Sequence, residues 1–572
     1  MKTMFRHKIL AGAVLFTALL GFSSCEDEPA VLPLEYADKT LYEVIANDDE
    51  LSDFFEVLQE CSIDDRDVAD SLLNHARVYT VWAPKNGCLN KDSLLARIAD
   101  GYREDVMRTF VFSHIANHLR PANGKLEKGN LVIMLNNKMS SFEGSYKDGK
   151  YSFGNCAIEN GNIRAWNGIL HKIGGTSEYR YNIWEYLPLA SDKSNGYRID
   201  SVANCLYSYN ITKFDPGSSI LGDIEDGVQT YLDSVFVTSN QWLNVYNGVG
   251  PLDAEDSLYT VYIPTNEAWN EILTEAKGYY NYFGSDYKQN WPTSMDSAFI
   301  DSIKNYYPLL NVLKFISYSE NEQCYVPSYP DSVMPAYRGA GRRRFALSQL
   351  NENVKFSKEL SNGVFNIVDK MPYNSLELWH DTIRIEAEDA EMLVNEDLID
   401  VPIYRRYVSK NQINPAFGTK SEISGGRYFE ANSDRNKVTA IFCLPNVLSA
   451  KYKVAMIVVP KHITDPTVKE EELKPTQFTI SITQAESGTL YSSLRKIKSD
   501  PTRLDTIFLT ESGSGEIATI EFPYCERYNT HSRKDFTTRI QIQSDGGLLP
   551  KNFDMSLRLD AILLIPVLDT EE

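Results

Sequence analysis

The sequence predicts two copies of an α+β domain followed by an all-β sandwich, behind an N-terminal export leader. Three observations carry this reading. A strand ended by proline, Thr80-Val81-Trp82-Ala83-Pro84, returns as Thr260-Val261-Tyr262-Ile263-Pro264. Each copy closes downstream on an Asn-Gly strand, Asn167 to Ile173 and Asn362 to Asp369, so one unit is present twice. From Asp381 onward, short alternating strands replace helical periodicity, as when two sheet faces enclose a core.

The leader comes first. Lys2, Arg6 and Lys8 precede an apolar run from Ile9 to Leu20, and the small residues Gly21 to Ser24 lead to Cys25. The run is too short to span a bilayer, and no later run reaches the roughly 18 residues that spanning needs. A cysteine at this position resembles the lipobox of bacterial lipoproteins. That resemblance implies a signal peptide over 1–24 and a diacylated Cys25 as the mature N-terminus. Glu26, Asp27 and Glu28 resemble the surface-export signal of Bacteroidota lipoproteins, which implies the outer face of the outer membrane and makes 25–37 a lipidated acidic tether. The other reading is an ordinary secreted protein in which Cys25 is incidental.

Composition narrows the partners. The 572 residues carry a net charge of −21, and the leader accounts for three of the positive charges, so the body is more acidic still. Nucleic acid is excluded as a partner, because binding phosphate needs a basic face. The 34 tyrosines and 25 phenylalanines suit strands and, equally, surfaces that stack on sugar rings. With Cys25 assigned to lipid, seven widely spaced cysteines remain and none forms a C-x-x-C pair. Neither a disulfide framework nor a zinc site is expected, and most should be small buried residues.

The first α+β domain spans 38–177. Leu51, Phe54, Phe55, Val57 and Leu58 have helical spacing, Arg77 to Asn86 is the proline-ended strand, and a helix runs toward His114. The second spans 178–375. It opens at Ile183 to Leu187, carries its strand and turn at Ser257 to Trp269, and places a helix at Leu309 to Ile316. A long insertion near 188–256, rich in Tyr, Asn, Asp and Gly, reads as a functional or disordered loop.

At these residues both units resemble fasciclin domains. The first signature of that family is a T-V-F-A-P-T-N-x-A-F strand and turn, matched from Thr80 to Asn86 and more closely from Thr260 to Trp269. The second is a late N-G-x-x-H-x-I-D strand, matched from Asn167 to Ile173 and from Asn362 to Asp369. Lys85 and Gly87 depart from the pattern in the first copy, as does Asn366 in the second.

The last domain spans 381–572. Its opening Glu386-Ala387-Glu388-Asp389-Ala390, its Gly425-Gly426-Arg427-Tyr428-Phe429 step and its final Leu559-Asp560 strand resemble the jelly-roll carbohydrate-binding modules of families 6 and 35. The resemblance implies a structural calcium held by Glu386, Glu388 and Asp560, a hard oxygen set suited to that ion. Solvated or edge-strand acids are the other reading. Tyr404, Tyr407, Tyr428 and Trp379 are candidates to stack on a glycan, against ordinary packing.

Catalytic patterns are missing: there is no H-E-x-x-H and no G-x-S-x-G. His114 and His118 stand four apart on the expected helix, a spacing that can grip a metal. His171 falls on the late strand as a support or an adhesive contact. Arg342-Arg343-Arg344 is a basic run that could face an acidic glycan or only solvent. The expected protein is therefore a non-catalytic, surface-exposed outer-membrane lipoprotein. It binds a glycan, or docks as an accessory subunit on a TonB-dependent transporter and its lipoprotein lid. Cell or matrix adhesion is the alternative, and glycoside hydrolysis a lesser one.

Overall fold

The structure, a computed structural model, describes residues 38–567 except 64–65, 195, 218–219, 226–227, 234–235, 247, 283–296, 320–331, 335–343, 410–411, 415–422, 485–486, 494, 528–535 and 547–549. Cys25, Glu26, Asp27 and Glu28 lie outside the described residues, as do Arg342 and Arg343. The protein is a mixed α/β chain with several open sheets in two compact units, 1–181 and 182–572. The second unit holds both the second α/β body and the C-terminal strands, which the sequence had separated near 375–381.

The repeat is explicit in the topology. In the first unit, β1 (Tyr79–Pro84) lies between β2 (Ile115–Asn117) and β4 (Gly168–Ile173), and β3 (Cys156–Ala165) pairs outside β4. In the second unit, β5 (Tyr259–Pro264), β6 (Ser317–Ser319), β7 (Val354–Leu360) and β8 (Gly363–Val368) repeat this order. Both central pairs, β1 with β4 and β5 with β8, are parallel, and their neighbours are antiparallel. Strands β1 and β4 are buried along their whole length, and their runs are accordingly apolar except at Thr80, His171 and Lys172.

An asparagine at the head of each late strand ties the unit together. The Leu41 N–H donates to Asn167 Oδ1 (2.8 Å), and Asn167 Nδ2 donates to the carbonyls of Leu73 (2.9 Å) and His75 (2.7 Å). In the second copy the Ile183 N–H donates to Asn362 Oδ1 (2.9 Å), and Asn362 Nδ2 donates to Leu252 (2.8 Å) and Ala254 (2.9 Å). Each side chain thus satisfies the first N–H of a helix, α1 (Leu41–Ala46) or α2 (Ile183–Tyr186), and two carbonyls at once, that of Leu73 closing a helix and the other three lying in loops. The following glycine is fixed by space. A Cβ on Gly168 would sit 2.1 Å from the Tyr79 carbonyl oxygen, and one on Gly363 would sit 1.8 Å from that of Tyr259.

The asparagine of the proline turn is a second pin. Asn86 accepts from the Asp53 N–H (2.9 Å) and Asn266 from the Ser201 N–H (2.9 Å), each capping a helix that starts elsewhere in the chain. In the second copy Thr265 caps α3 (Asn266–Gly278) directly after the turn. In the first copy, where Lys85 and Gly87 break the pattern, the next helix waits until Lys91 behind an Asn90 cap. Lys85 instead bridges Glu50 and Glu159.

Three expectations are corrected. The helix before His114 ends at Thr109, and His118 has a positive φ of 70° beyond a short strand, so the two histidines share no helix face. His114 is buried, with Nδ1 on the Phe110 carbonyl (2.7 Å) and Nε2 accepting from the Ser177 N–H (3.1 Å). The insertion is not an irregular loop: it forms short helices and two nested antiparallel strand pairs, Asn210–Phe214 with Phe236–Asn240 and Ile220–Glu225 with Val228–Asp233. Of the six described cysteines, only Cys61, Cys443 and Cys525 are buried.

The C-terminal strands form two antiparallel sheets. One runs β10 (Ile403–Tyr407), β11 (Arg427–Ala431), β16 (Leu557–Val567), β13 (Ala450–Val458), then Asp505–Phe508, with β9 (Ile383–Glu386) also on β16. The other runs β12 (Thr439–Cys443), β15 (Arg539–Ser544), β14 (Gln477–Gln484), then Gly488–Ser492. Phe429 and Phe442 meet edge to face between them.

Two outcomes follow from this packing. Asn167→Ala and Asn362→Ala each strand one N–H and two carbonyls, and each should lower unfolding stability by about 3 kcal/mol in urea melts. A loss below about 0.5 kcal/mol would show that the fork is dispensable. His114 and His171 are held down to about 4 by burial, so folding favours their neutral forms. Their stabilisation is complete above the unfolded value of 6.5 and is lost as pH falls from there toward 4, by roughly 3 kcal/mol each. The first unit's urea midpoint should accordingly drop between pH 6.5 and 4, and drop less in a His171→Asn variant, the second copy's residue at that position.

Candidate functional site: an ion cluster and an aromatic edge strand

A bulge builds the first element of the site. Between Ile457↔Ala561 and Val458↔Leu559 the register slips, leaving Asp560 as the extra residue of β16. Such a bulge re-aims one side chain while the strand on either side keeps its inner face. Asp560 is 1% exposed; its Oδ2 accepts from Arg384 (2.9 Å) and its Oδ1 from the Ser424 N–H (2.9 Å). Arg384 also donates through Nε to Glu386 Oε1 (2.8 Å), and the Ser424 hydroxyl donates to the same oxygen (2.9 Å).

Glu388 completes the cluster. Burial raises its carboxyl above the usual range and the charges of Glu386 and Asp560 add to this, while Arg427 opposes it. Its Oε2 is buried without a hydrogen-bond partner among the described residues. Burial also raises Asp560, against the pull of Arg384. The three acids expected to hold calcium are thus neighbours, but a guanidinium already answers two of them. Among the described residues, no three His, Cys, Asp or Glu side chains are grouped to hold a metal ion. The set fits an Arg384-centred ion cluster better than it fits calcium.

The second element is the edge strand β10, paired among the described residues with β11 alone. Its Tyr-Arg-Arg-Tyr run is exposed at every position. Tyr407 is 71% exposed, opposite Arg427 in the ladder. Tyr404 is 39% exposed and carries the Arg406 guanidinium 4.1 Å from its ring centre. Arg406 is held there by Glu430 (2.7 Å), and Glu430 in turn faces Arg558 (3.5 Å). Arg405 reaches back to the Glu388 carbonyl (2.9 Å) and to Glu396 (3.1 Å), tying the strip to the ion cluster.

Tyr428 is a correction. It is 6% exposed and packs with Val408, Ile423, Val459 and Ile463 in a small apolar cluster, so it offers no free ring face. Trp379 is likewise buried. His171 is a satisfied strand residue: Nε2 lies 2.9 Å from the Arg120 carbonyl, and Nδ1 accepts from the Asn162 N–H (3.2 Å). Sequence reasoning missed Arg384, Ser424, Arg406 and Glu430. The Arg384–Glu386 pair was visible as an i, i+2 spacing on one strand face; the other partners come from distant segments.

No family model matches the chain, and no curated protein is similar to it in sequence. Among solved structures, it is similar to a FAS1 domain pair from the insect cell adhesion molecule Fasciclin I, at 12% identity and a TM-score of 0.20, over 57% of this chain and 97% of that one. It is also similar to the carbohydrate-binding module TmCBM27, described for specific mannan recognition, at 9% identity and a TM-score of 0.17, over 33% and 99%. A third is the GH26-CBM35 β-(1,4)-mannanase of Podospora anserina, at 9% identity and a TM-score of 0.17, over 33% and 28%.

Removing the central guanidinium tests the ion cluster. Arg384→Ala leaves Asp560 buried with one backbone donor, and should cost about 2 kcal/mol in urea, less than a fully buried pair because Arg384 is a third exposed. A wild-type midpoint that rises with millimolar calcium would show instead that the ion displaces Arg384.

Proposed function

We propose that the protein is a non-catalytic glycan-binding lipoprotein of the outer-membrane surface. In this reading Cys25 carries the lipid, and Glu26, Asp27 and Glu28 direct export. Two fasciclin-like bodies act as scaffold, and a C-terminal body like a carbohydrate-binding module meets the ligand. The observation that supports it most is the edge strand β10, where Tyr407, 71% exposed, shares a sheet face with Arg405, while Tyr404, on the other face, already carries the Arg406 guanidinium. Sugars are recognised by that combination of apolar ring face and fixed polar groups. Against hydrolysis, Asp560 is shielded and bound to Arg384, whereas glycosidase carboxylates must reach the scissile bond from both sides.

Docking on a TonB-dependent transporter and its lipoprotein lid, or adhesion to another cell or matrix, is the second reading. A specific feature favours it: Leu131, Ile133 and Met139 stand exposed on adjoining strands of the first unit, Ile133 directly across from Met139. Contiguous apolar surface of this kind marks contact sites.

On a glycan array, the mature protein should retain at least one glycan class. Tyr407→Ala should weaken that binding about tenfold, the loss of one stacking contact of roughly 1.4 kcal/mol. A protein that binds no glycan but co-purifies with outer-membrane transporters would move the assignment to docking. Cys25→Ala should release folded protein into the medium and abolish surface function.

A further inference from the structure

The second unit contains a cleft that neither the ion cluster nor the edge strand uses. It measures about 610 Å³ and lies where α3 of the second α/β body meets β13 and the Thr519–Phe522 strand. Glu275 and Tyr279 come from one wall; Ser449, Lys451 and Glu521 come from the other. A smaller hollow of about 290 Å³ adjoins it, lined by Glu271 and Lys370 and sharing Glu275. Both line the same face of α3 and meet at Glu275, a trough whose larger part alone is of a size that takes several linked rings rather than one.

The walls are fixed relative to each other. The Ser449 N–H donates to the Tyr279 carbonyl (2.9 Å), and the Asn281 N–H to Ser449 Oγ (3.1 Å). Asn281 Nδ2 donates to the Pro523 carbonyl (3.0 Å), and the Tyr282 hydroxyl to that of Arg527 (2.6 Å). Tyr279 is itself set by Ser375 (2.9 Å) and by edge-to-face contact with Trp379. Binding here would cost little ordering entropy.

The polar groups define the ligand. Glu271, Glu275 and Glu521 are exposed, and none makes an ion pair or side-chain hydrogen bond among the described residues. Three uncommitted acceptors call for a donor-rich ligand. Lys370 beside them supplies donors, and the excess of carboxylates repels an acidic ligand.

We propose that this trough binds a neutral, hydroxyl-rich oligosaccharide segment, as a second site on the same polymer that meets the edge strand. The proposal rests on the glycan-binding reading above. Two sites on one body raise the apparent affinity for a polymer well beyond either alone.

Native gel electrophoresis of the mature full-length chain tests it, in gels containing galactomannan, mixed-linkage β-glucan, xylan or, as acidic control, polygalacturonate. At least one neutral polymer should retard the wild type. The Glu275→Ala/Glu521→Ala pair should weaken that retardation at least tenfold, and Glu275→Gln by a smaller factor. Both carboxylates are exposed, so thermal midpoints should match the wild type. Equal retardation of the double variant and wild type overturns the trough while leaving glycan binding intact, all the more if Tyr407→Ala abolishes it. Retardation by polygalacturonate alone overturns the ligand class. A wild type that no polymer retards removes both the trough and the reading on which it rests.

Discussion

Each α/β body depends on one fork of hydrogen bonds, that of the asparagine heading its late strand. A parallel strand pair in the middle of a sheet has no tight turn to set its register, because its two strands are far apart in sequence. Asn167 lies 126 residues from its acceptor-bound partner Leu41, and Asn362 lies 179 from Ile183. By binding a helix's first N–H and two carbonyls on the approach to the central strand, each side chain fixes the helix opening, that approach and the head of the late strand together. The neighbouring glycine lets the Tyr79 or Tyr259 carbonyl come close enough for the ladder to begin. The polar motif residues that stand out in the sequence are therefore internal braces.

That assignment moves the question of ligands away from the motifs. Residues that look functional in the repeats, His114, His171 and the four asparagines, have their polar atoms answered inside the fold. The groups left for a partner lie on the exposed edge strand of the two-sheet body and along α3, where arginines, tyrosines and uncommitted carboxylates face outward. Rigid supports carry both places: the Asp560 bulge with its Arg384 bridge in one case, the Tyr279–Tyr282 segment bonded to Ser449, Pro523 and Arg527 in the other. The lipid proposed at Cys25 would add local concentration to modest individual affinities.

Much of the fold was legible because it repeats. Thr80 to Pro84 and Thr260 to Pro264 became the same central strand, and the alternating runs after Asp381 became two antiparallel sheets. The helix expected through His114 failed because apolar spacing at Phe110, Val111 and Phe112 also suits a short turn entering a strand. The insertion was misread because its polar composition hides strands that pair mainly with each other. At the site, the proximity of Glu386, Glu388 and Asp560 was anticipated from resemblance. The bulge that aims Asp560 and the guanidinium that answers it were not, since a one-residue register slip leaves no mark in the sequence. Tyr428 was misjudged for a related reason: the segments that cover it, around Val408 and Ile463, are distant in the chain.

In the proposed reading the repeats brace, and the two-sheet body receives the ligand together with the trough it forms against α3 of the second repeat. Hydrogen–deuterium exchange on the mature chain, with and without a soluble neutral hexasaccharide, tests it most directly. Exchange should slow at 275–282, 403–407, 449–453 and 519–523, with β1, β4, β5 and β8 unchanged. Protection confined to the strands of the first unit, with none in the two-sheet body, would contradict it.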